Sequence, residues 1–309
     1  STSGTKTAAS SITTNGALTL AGTVTFGATA ATHNINGGWV NGASTSVSSS
    51  GTFNFNGTST ISGTGTIAFA NANVTSGAVV SDLSVNITTS GVLTVASGGK
   101  LTLEQGVVVS GAGTFTVASG GTLAIRHTSG IVAAPTSNGN VQTTTRSFAA
   151  GATYIYDNVS LPQTTGNALP ATVTNLTINN TSGVTLSGSV TVTGALTLAA
   201  GTPGATLSIG ANTLGLNGTI AIGTNATLTG GATSSVSVGG SGSALALPAL
   251  TLSNLTVNRA NGVTLSGNAT VNGALTLTSG TLTTGANKVT VGASGSTART
   301  NGYVKGTIE

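Results

Sequence analysis

A segment of 28 residues occurs twice in this chain of 309 residues. Residues 175–202 read NLTINNTSGVTLSGSVTVTGALTLAAGT, and residues 254–281, 79 positions later, read NLTVNRANGVTLSGNATVNGALTLTSGT. In both copies, short runs alternate apolar residues with Thr and are separated by Gly, Asn and Ser. Alternation with a period of two predicts β-strands. Their repetition predicts that the strands belong to a stacked array.

A second, shorter repeat indicates the length of one turn of that array. Residues 91–103 (GVLTVASGGKLTL) match residues 113–125 (GTFTVASGGTLAI) at a shift of 22. On this measure the 79-residue repeat corresponds to about four slightly shorter turns. The sequence therefore predicts an all-β fold, a parallel β-helix or β-solenoid with about 20–22 residues per turn.

The rhythm of the repeats divides the chain into three regions. It predicts an N-terminal β-solenoid over residues 1–130 and a C-terminal one, with the 79-residue repeat, over residues 169–309. Between them, the alternating strand pattern is interrupted over residues 131–168. This interruption predicts an irregular junction or a side hairpin, and the alternative is a ligand-binding insertion. This segment holds residues that are rare elsewhere in the chain, namely Pro135, Arg146, Tyr154, Tyr156 and Pro162.

The composition argues against several functional classes. Charged residues make up 4% of the chain and aromatic residues 3%, and the net charge of +4 comes from eight basic residues dispersed along the sequence. Because nucleic-acid binding needs a basic patch, we predict no nucleic-acid partner. No apolar run is long enough for a membrane span. The chain begins at Ser1, which fits a mature product whose export signal has been removed and equally fits a trimmed chain.

Ionisable side chains are too few and too dispersed to predict a catalytic or metal site. The carboxylates are Asp82, Glu104, Asp157 and Glu309. Asp82 and Glu104 are 22 positions apart and could stack on neighbouring turns, which leaves one candidate pair for glycosidase chemistry. His33 and His127 are the only imidazoles, and the chain has no Cys. We therefore predict no catalytic residue, no metal and no cofactor.

Four segments carry a family resemblance that covers roughly the C-terminal two-thirds of the chain. They are residues 138–156 (NGNVQTTTRSFAAGATYIY), 166–178 (GNALPATVTNLTI), 175–198 (NLTINNTSGVTLSGSVTVTGALTL) and 300–308 (TNGYVKGTI). These segments resemble the β-strand-repeat proteins that some Gram-negative bacteria secrete to their surface. The chain is more distantly similar to filamentous-haemagglutinin-like solenoids. The resemblance implies a right-handed β-helix that is extracellular or attached to the cell surface and acts as adhesin, stalk or fibre.

The open edges of a solenoid predict self-association. A head-to-tail contact between copies does not close, and it therefore produces a homopolymeric filament. The expected interface pairs a C-terminal strand with the first turn of another copy. The candidate residues are Ala17, Leu18, Thr19, Leu20, Tyr303, Val304, Gly306 and Ile308.

Two other functions stay open at this point. The first is a module that binds polysaccharide or another surface, ice included, through rows of Thr, Ser and Asn. The second, and the least favoured, is a polysaccharide-degrading β-helix enzyme. Trp39 and Tyr303 stand out among the few aromatic residues, either as exposed anchors or as core packing.

Overall fold

A computed structural model describes residues 3–8, 10–21, 23–28, 31–42, 46–158 and 160–309. The described residues form β-strands and no helix, and strands about 21 residues apart in the chain stack in parallel. The predicted β-solenoid is thereby confirmed, and the chain makes about 14 turns in all. Two compact units are present. Unit 1 is Ser1–Asp157 with Asn167–Leu169, and unit 2 is Asn158–Gly166 with Pro170–Glu309.

The strands of unit 1 are, in chain order, β1 (Ser3–Ala8), β2 (Thr13–Thr14), β3 (Leu18–Leu20), β4 (Thr23–Ala28), β5 (Thr32–Ile35), β6 (Trp39–Asn41), β7 (Ser46–Ser49), β8 (Thr52–Phe55), β9 (Thr58–Gly63), β10 (Thr66–Phe69), β11 (Asn71–Val74), β12 (Val79–Leu83), β13 (Asn86–Thr89), β14 (Val92–Val95), β15 (Lys100–Leu103), β16 (Val109–Val117), β17 (Thr122–Ile125), β18 (Val141–Phe148) and β19 (Thr153–Tyr156). They form two parallel sheets. Sheet A has the order β1-β4-β7-β10-β13-β16-β14-β11-β8-β5-β2, with β18 on β16, and sheet B has the order β19-β17-β15-β12-β9-β6-β3.

The strands of unit 2 are β20 (Gln163–Thr164), β21 (Thr172–Val173), β22 (Asn175–Ile178), β23 (Val184–Thr185), β24 (Val190–Val192), β25 (Ala195–Leu198), β26 (Thr206–Ser208), β27 (Thr213–Leu216), β28 (Thr219–Ile222), β29 (Thr227–Thr229), β30 (Ser235–Val238), β31 (Leu245–Leu247), β32 (Leu250–Leu252), β33 (Asn254–Asn258), β34 (Val263–Leu265), β35 (Ala269–Val271), β36 (Ala274–Ser279), β37 (Thr281–Val291), β38 (Ser296–Arg299) and β39 (Tyr303–Ile308). Sheet C has the order β20-β23-β26-β29 and sheet D the order β21-β24-β27-β30-β33-β36-β38. Sheet E has the order β31-β34-β37-β35-β32 with β39 on β37, and β22, β25 and β28 form a further ladder.

Each turn of the solenoid has three strand places. In sheet D, for example, β24 pairs with β27, β27 with β30, and β30 with β33. The long strands β16 and β37 each take two of the three places, because each pairs with two preceding strands. A turn therefore closes with three short strands or with one short and one long strand.

The 79-residue repeat does not correspond to four whole turns. Its first copy starts in β22, which pairs with β25, whereas its second copy starts in β33 of sheet D. β33 is the eleventh strand after β22, and eleven is not a multiple of three. The two copies therefore form the same strands in different sheets, because eleven strands at three per turn make about three and two-thirds turns, close to the expected four.

The predicted junction at 131–168 contains strands in both units. In unit 1, β18 and β19 pair in parallel with β16 and β17, so that both continue the stack. The pairing offset grows from 22 residues between Leu103 and Ile125 to 31 between Ile125 and Tyr156. The extra residues form a loop between β17 and β18.

The core consists of the inward residues of every turn. Leu176 and Ile178 in β22, and Leu255 and Val257 in β33, are fully buried, while the Thr between them faces outward. In unit 1 the first turns enclose an aromatic cluster in which the Trp39 ring lies 5.5 Å from that of Phe53 and 5.6 Å from that of Phe69. With no Cys available, this burial and the backbone ladders hold the fold together.

Candidate functional site

The four C-terminal residues of the predicted interface lie together on β39, the outermost strand of sheet E in the described chain. Tyr303 and Ile308 are large apolar side chains exposed to 50% and 46%, and Val304 is half-buried. Gly306 has a φ of 123°, at the point where the register of β39 on β37 shifts. Because L-residues rarely adopt this φ, the bend in β39 requires glycine.

An open cavity of about 260 Å³ lies inside the last turn. The buried residues of β36, Leu275 and Leu277, form its floor. Its rim consists of Thr297, Ala298, Arg299, Tyr303, Val304 and Ile308. The apolar core is therefore accessible from this end of unit 2.

The N-terminal half of the predicted interface lies at the edge of sheet B. Leu18, Thr19 and Leu20 form β3, which pairs with β6 as the last strand of that sheet. Ala17 and Thr19 are exposed, Leu18 is half-buried and Leu20 is 7% exposed. All of the candidate residues except Ala17, which precedes β3, thus belong to strands at sheet edges within the described chain.

A second candidate is a column of charged side chains on unit 1. Glu104, Arg126 and Asp157 each follow a strand of sheet B, and the register of β15, β17 and β19 stacks them on successive turns. Arg126 donates one hydrogen bond from Nη1 to Glu104 Oε1 and another from Nη2 to Asp157 Oδ2, at 3.2 Å. The hydrogen bond to Glu104 is the main cause that raises the pKa of Arg126.

Asp82 lies on the preceding turn but outside this column, because Leu83 pairs with Leu103 and Ser84 is therefore the residue in line with Glu104. A β-bulge in β12 shifts the register at this residue, and Asp82 Oδ1 is buried without a hydrogen-bond partner among the described residues. Burial raises the pKa of Asp82, and the negative charge of Glu104 adds to the effect. Asp82 and Glu104 therefore lie on neighbouring turns without the expected stacking in register, and Arg126 binds Glu104 in an ion pair. Arg126 and Asp157 were not predicted to join them.

The unusual residues of the predicted junction fill structural positions. Tyr154 and Tyr156 are fully buried in register with Leu123 and Ile125, and Tyr154 Oη donates to Ala149 O at 2.8 Å. Burial raises the pKa of both phenols. Arg146 donates hydrogen bonds to backbone carbonyls of the loop before β18, and burial lowers its pKa. The contacts of these residues are those of core packing and loop anchoring.

A buried arginine in unit 2 has no counterpart in the sequence predictions. Arg259 is 1% exposed, and its guanidinium donates to four backbone carbonyl oxygens. The acceptors are Ser243 O at 2.8 Å, Asn217 O at 3.2 Å, Gly239 O at 2.6 Å and Gly218 O at 3.0 Å. Through these hydrogen bonds Arg259 connects the loop after β30 with the residues that follow β27. The sequence held one sign of this role. The second copy of the repeat has Arg259 at the position where the first copy has Asn180.

Rows of asparagine lie on the outward surface of sheet A. Asn73 donates to Asn54 Oδ1 at 3.0 Å, and Asn54 donates to Asn34 Oδ1 at 3.4 Å. A second row joins Asn56 to Asn36 and Asn36 to Asn15. Similar side chains thus repeat at the spacing of the strands, roughly 4.8 Å.

The two histidines lie in separate surroundings. His33 is buried and stacks on Phe53 with ring centroids 4.7 Å apart, while His127 Nδ1 accepts a hydrogen bond from the Ser129 N–H. Burial lowers the pKa of His127. Within the described ranges, no group of three or more His, Cys, Asp or Glu could hold a metal ion.

Comparisons add no family to this description. No protein-family model, no curated protein and no solved structure matches the chain. A search of the described residues for helices able to cross a membrane finds none of sufficient length and apolar character. The fold itself defines the class, a β-solenoid repeat protein.

Proposed function

We propose that the protein is a structural subunit of an extracellular surface fibre or filament, in which copies associate head to tail through their outermost turns. The observation that carries the proposal is the edge at β39, where Tyr303 and Ile308 are exposed beside an open cavity with an apolar floor. A parallel strand from another copy would extend the ladder of β39 and cover these side chains.

The rest of the structure supports a structural rather than a chemical role. The same three-strand turn recurs through each unit, with apolar residues inside and short polar residues outside. The buried tyrosines and arginines hold turns and loops in place. The proposal assigns no reaction to Asp82 and Glu104, and their joint substitution to Asn and Gln should not abolish assembly.

Sedimentation velocity and electron microscopy of the purified chain test the proposal. We expect association that grows with protein concentration and filaments in negative stain. The double variant Tyr303→Ser/Ile308→Ser should reduce association at least tenfold, because it removes the apolar contacts at the edge. The control is Val92→Ser, which removes an apolar side chain with 38% exposure from β14, a strand paired on both sides. Monomers at high concentration without filaments would exclude the proposal.

A second candidate function is binding of a surface polysaccharide. The asparagine rows on sheet A favour it, because regularly spaced amides offer repeated hydrogen bonds to a repeating polymer. A glycan array with the wild-type chain and the Asn54→Ala variant tests this candidate, and an ice-recrystallisation assay tests ice as a surface. Equal binding by the wild-type chain and the Asn54→Ala variant would count against a role of the asparagine rows in binding.

A further inference from the structure

A histidine occupies a core position in unit 1. His33 of β5 pairs in register with Phe53 of β8, and the column continues through Ala72, Leu93 and Phe115. All five residues are buried, and His33 is 0% exposed. The four residues that follow His33 in this column are apolar. The fold thus places one titratable side chain where the next four turns have apolar ones.

The imidazole of His33 is held as a hydrogen-bond acceptor. Its Nδ1 accepts from the backbone N–H of Ile12 at 3.3 Å, and the backbone N–H of Asn34 donates to Ile12 O at 2.8 Å. Both bonds lie directly beside the pairing of β2 with β5. Because a neutral imidazole has a single N–H, the proton then lies on Nε2. Nε2 is buried and has no hydrogen-bond partner among the described residues.

A second proton on this ring would oppose the contacts of the folded state. An imidazolium carries an N–H on both nitrogens, so Nδ1 and the Ile12 N–H would be two donors facing each other. The charge would be buried against the Phe53 ring, whose centroid lies 4.7 Å away and which itself contacts Trp39. Burial of a charge without a partner is costly.

The charged groups around His33 offer no compensation for that cost. Lys6 and His33 are the only ionisable side chains before Asp82 in the sequence. Lys6 is exposed on β1 and has the same sign of charge as an imidazolium. Asp82 lies on β12, which pairs with β9 and not with a strand next to β5. The strands that pair with β5, namely β2 and β8, contain no ionisable side chain, and the strands from β3 to β11 contain none other than His33 itself.

We propose that His33 is a pH sensor of unit 1, and that proton binding by its imidazole separates β2 from β5. Histidine side chains of an unfolded chain bind a proton below about pH 6.5. Because the folded state opposes that proton, the contact between β2 and β5 is stable above this pH. It weakens as pH falls, by up to roughly tenfold in its equilibrium constant per pH unit. The inference goes beyond the proposed fibre and holds whether or not copies associate.

Urea unfolding followed by the emission of Trp39 tests the proposal, because Trp39 is the single tryptophan and lies in the aromatic cluster beside His33. For the wild-type chain we expect the folding equilibrium constant to fall about tenfold between about pH 7.5 and about pH 5.5. His33→Phe cannot bind a proton, and His33→Gln keeps an acceptor for the Ile12 N–H without titrating in this range. Both variants should lose the tenfold fall, and an equal fall in wild type and both variants would overturn the proposal.

His127 is the other imidazole of the chain and provides the matched control. Burial lowers the pKa of His127, so it also reduces stability as pH falls. His127→Gln removes that contribution. In this background the two substitutions at His33 should still remove a fall of about tenfold. Far-UV circular dichroism at neutral pH checks that each variant is folded.

Hydrogen–deuterium exchange of the wild-type chain locates the change and decides even where a variant does not fold. After correction for the intrinsic exchange rate, the amides of residues 12–14 and 33–36 should lose protection on acidification from about pH 7.5 to about pH 5.5. Residues 92–125, on later turns of unit 1, should keep theirs. Unchanged protection at residues 12–14 and 33–36, or a loss spread evenly over unit 1, would overturn the separation of β2 from β5.

Discussion

Arg259 stands where the first copy of the repeat has Asn180, and both side chains are buried against the backbone of the preceding turn. Asn180 donates to Leu161 O at 2.9 Å and to Gln163 Oε1 at 3.0 Å, and it is fully buried. Arg259 reaches further and binds four carbonyl oxygens. One position of the repeat thus anchors neighbouring loops with a short amide in one copy and a long guanidinium in the other.

Replacing the buried guanidinium should destabilise unit 2. Arg259→Met leaves four carbonyl oxygens without their donor, and we expect a loss of about 3 kcal/mol. Urea unfolding followed by far-UV circular dichroism measures the shift in midpoint. The same substitution at exposed Arg299 is the control, and it should change stability by less than about 0.5 kcal/mol. Equal midpoints for the two variants would contradict an anchoring role.

Equivalent leucines of the two repeat copies should contribute equally to the stability of the fold, although they lie in different sheets. Leu176 and Leu255 are both fully buried. We expect Leu176→Ala and Leu255→Ala each to cost about 2–5 kcal/mol in urea unfolding, from lost burial and the cavity left behind. Thr177→Ala and Thr256→Ala, which change the outward neighbours, should cost under about 0.5 kcal/mol. A large effect in only one copy would show that the two sheets differ in packing.

Two glycines with similar backbone conformation should respond differently to alanine. Gly280 and Gly285 have φ values of 77° and 60°. A Cβ on Gly280 would overlap the carbonyl oxygen of Arg259, whereas a Cβ on Gly285 would meet no atom within 4 Å. We expect Gly285→Ala to cost about 1 kcal/mol from backbone strain alone. Gly280→Ala should cost about 3 kcal/mol or more, because overlap adds to the strain. Thermal melts of both variants measure the difference.

Asp82, whose charge interacts with that of Glu104 in the charged column, should make stability depend on pH. Its raised pKa means that the folded protein holds this proton more tightly than the unfolded chain does. The carboxyl therefore contributes stability below its ordinary pKa of 3.8, and the contribution is lost as pH rises through the raised value. We expect Asp82→Asn to melt above wild type at about pH 7 and the difference to vanish at about pH 3.

Glu104→Gln is the matched control for the column. It removes the charge that receives the Arg126 hydrogen bond, and it should therefore melt below wild type at neutral pH. Opposite signs for Asp82→Asn and Glu104→Gln would separate the two carboxyls. A lower melting temperature for both would instead show that Asp82 is a stabilising partner of Arg126.

Only part of the candidate site could be predicted from the sequence. The 22-residue spacing predicted that Asp82 stacks on Glu104, but the bulge in β12 pairs Leu83 with Leu103 and sets Ser84 in line with Glu104 instead. Arg126 follows the same spacing, but Asp157 comes 31 positions later, because the loop between β17 and β18 lengthens that turn. A spacing rule fails wherever a turn takes up extra residues.

The alternation of Leu, Val and Thr determined the strands, their inward faces and the parallel stacking, because each of these properties depends on local periodicity and on a repeated length. The sheet in which a given strand lies was decided only by the tertiary structure. The 79-residue repeat places β22 and β33 in different sheets because three strands make a turn and β33 is the eleventh strand after β22.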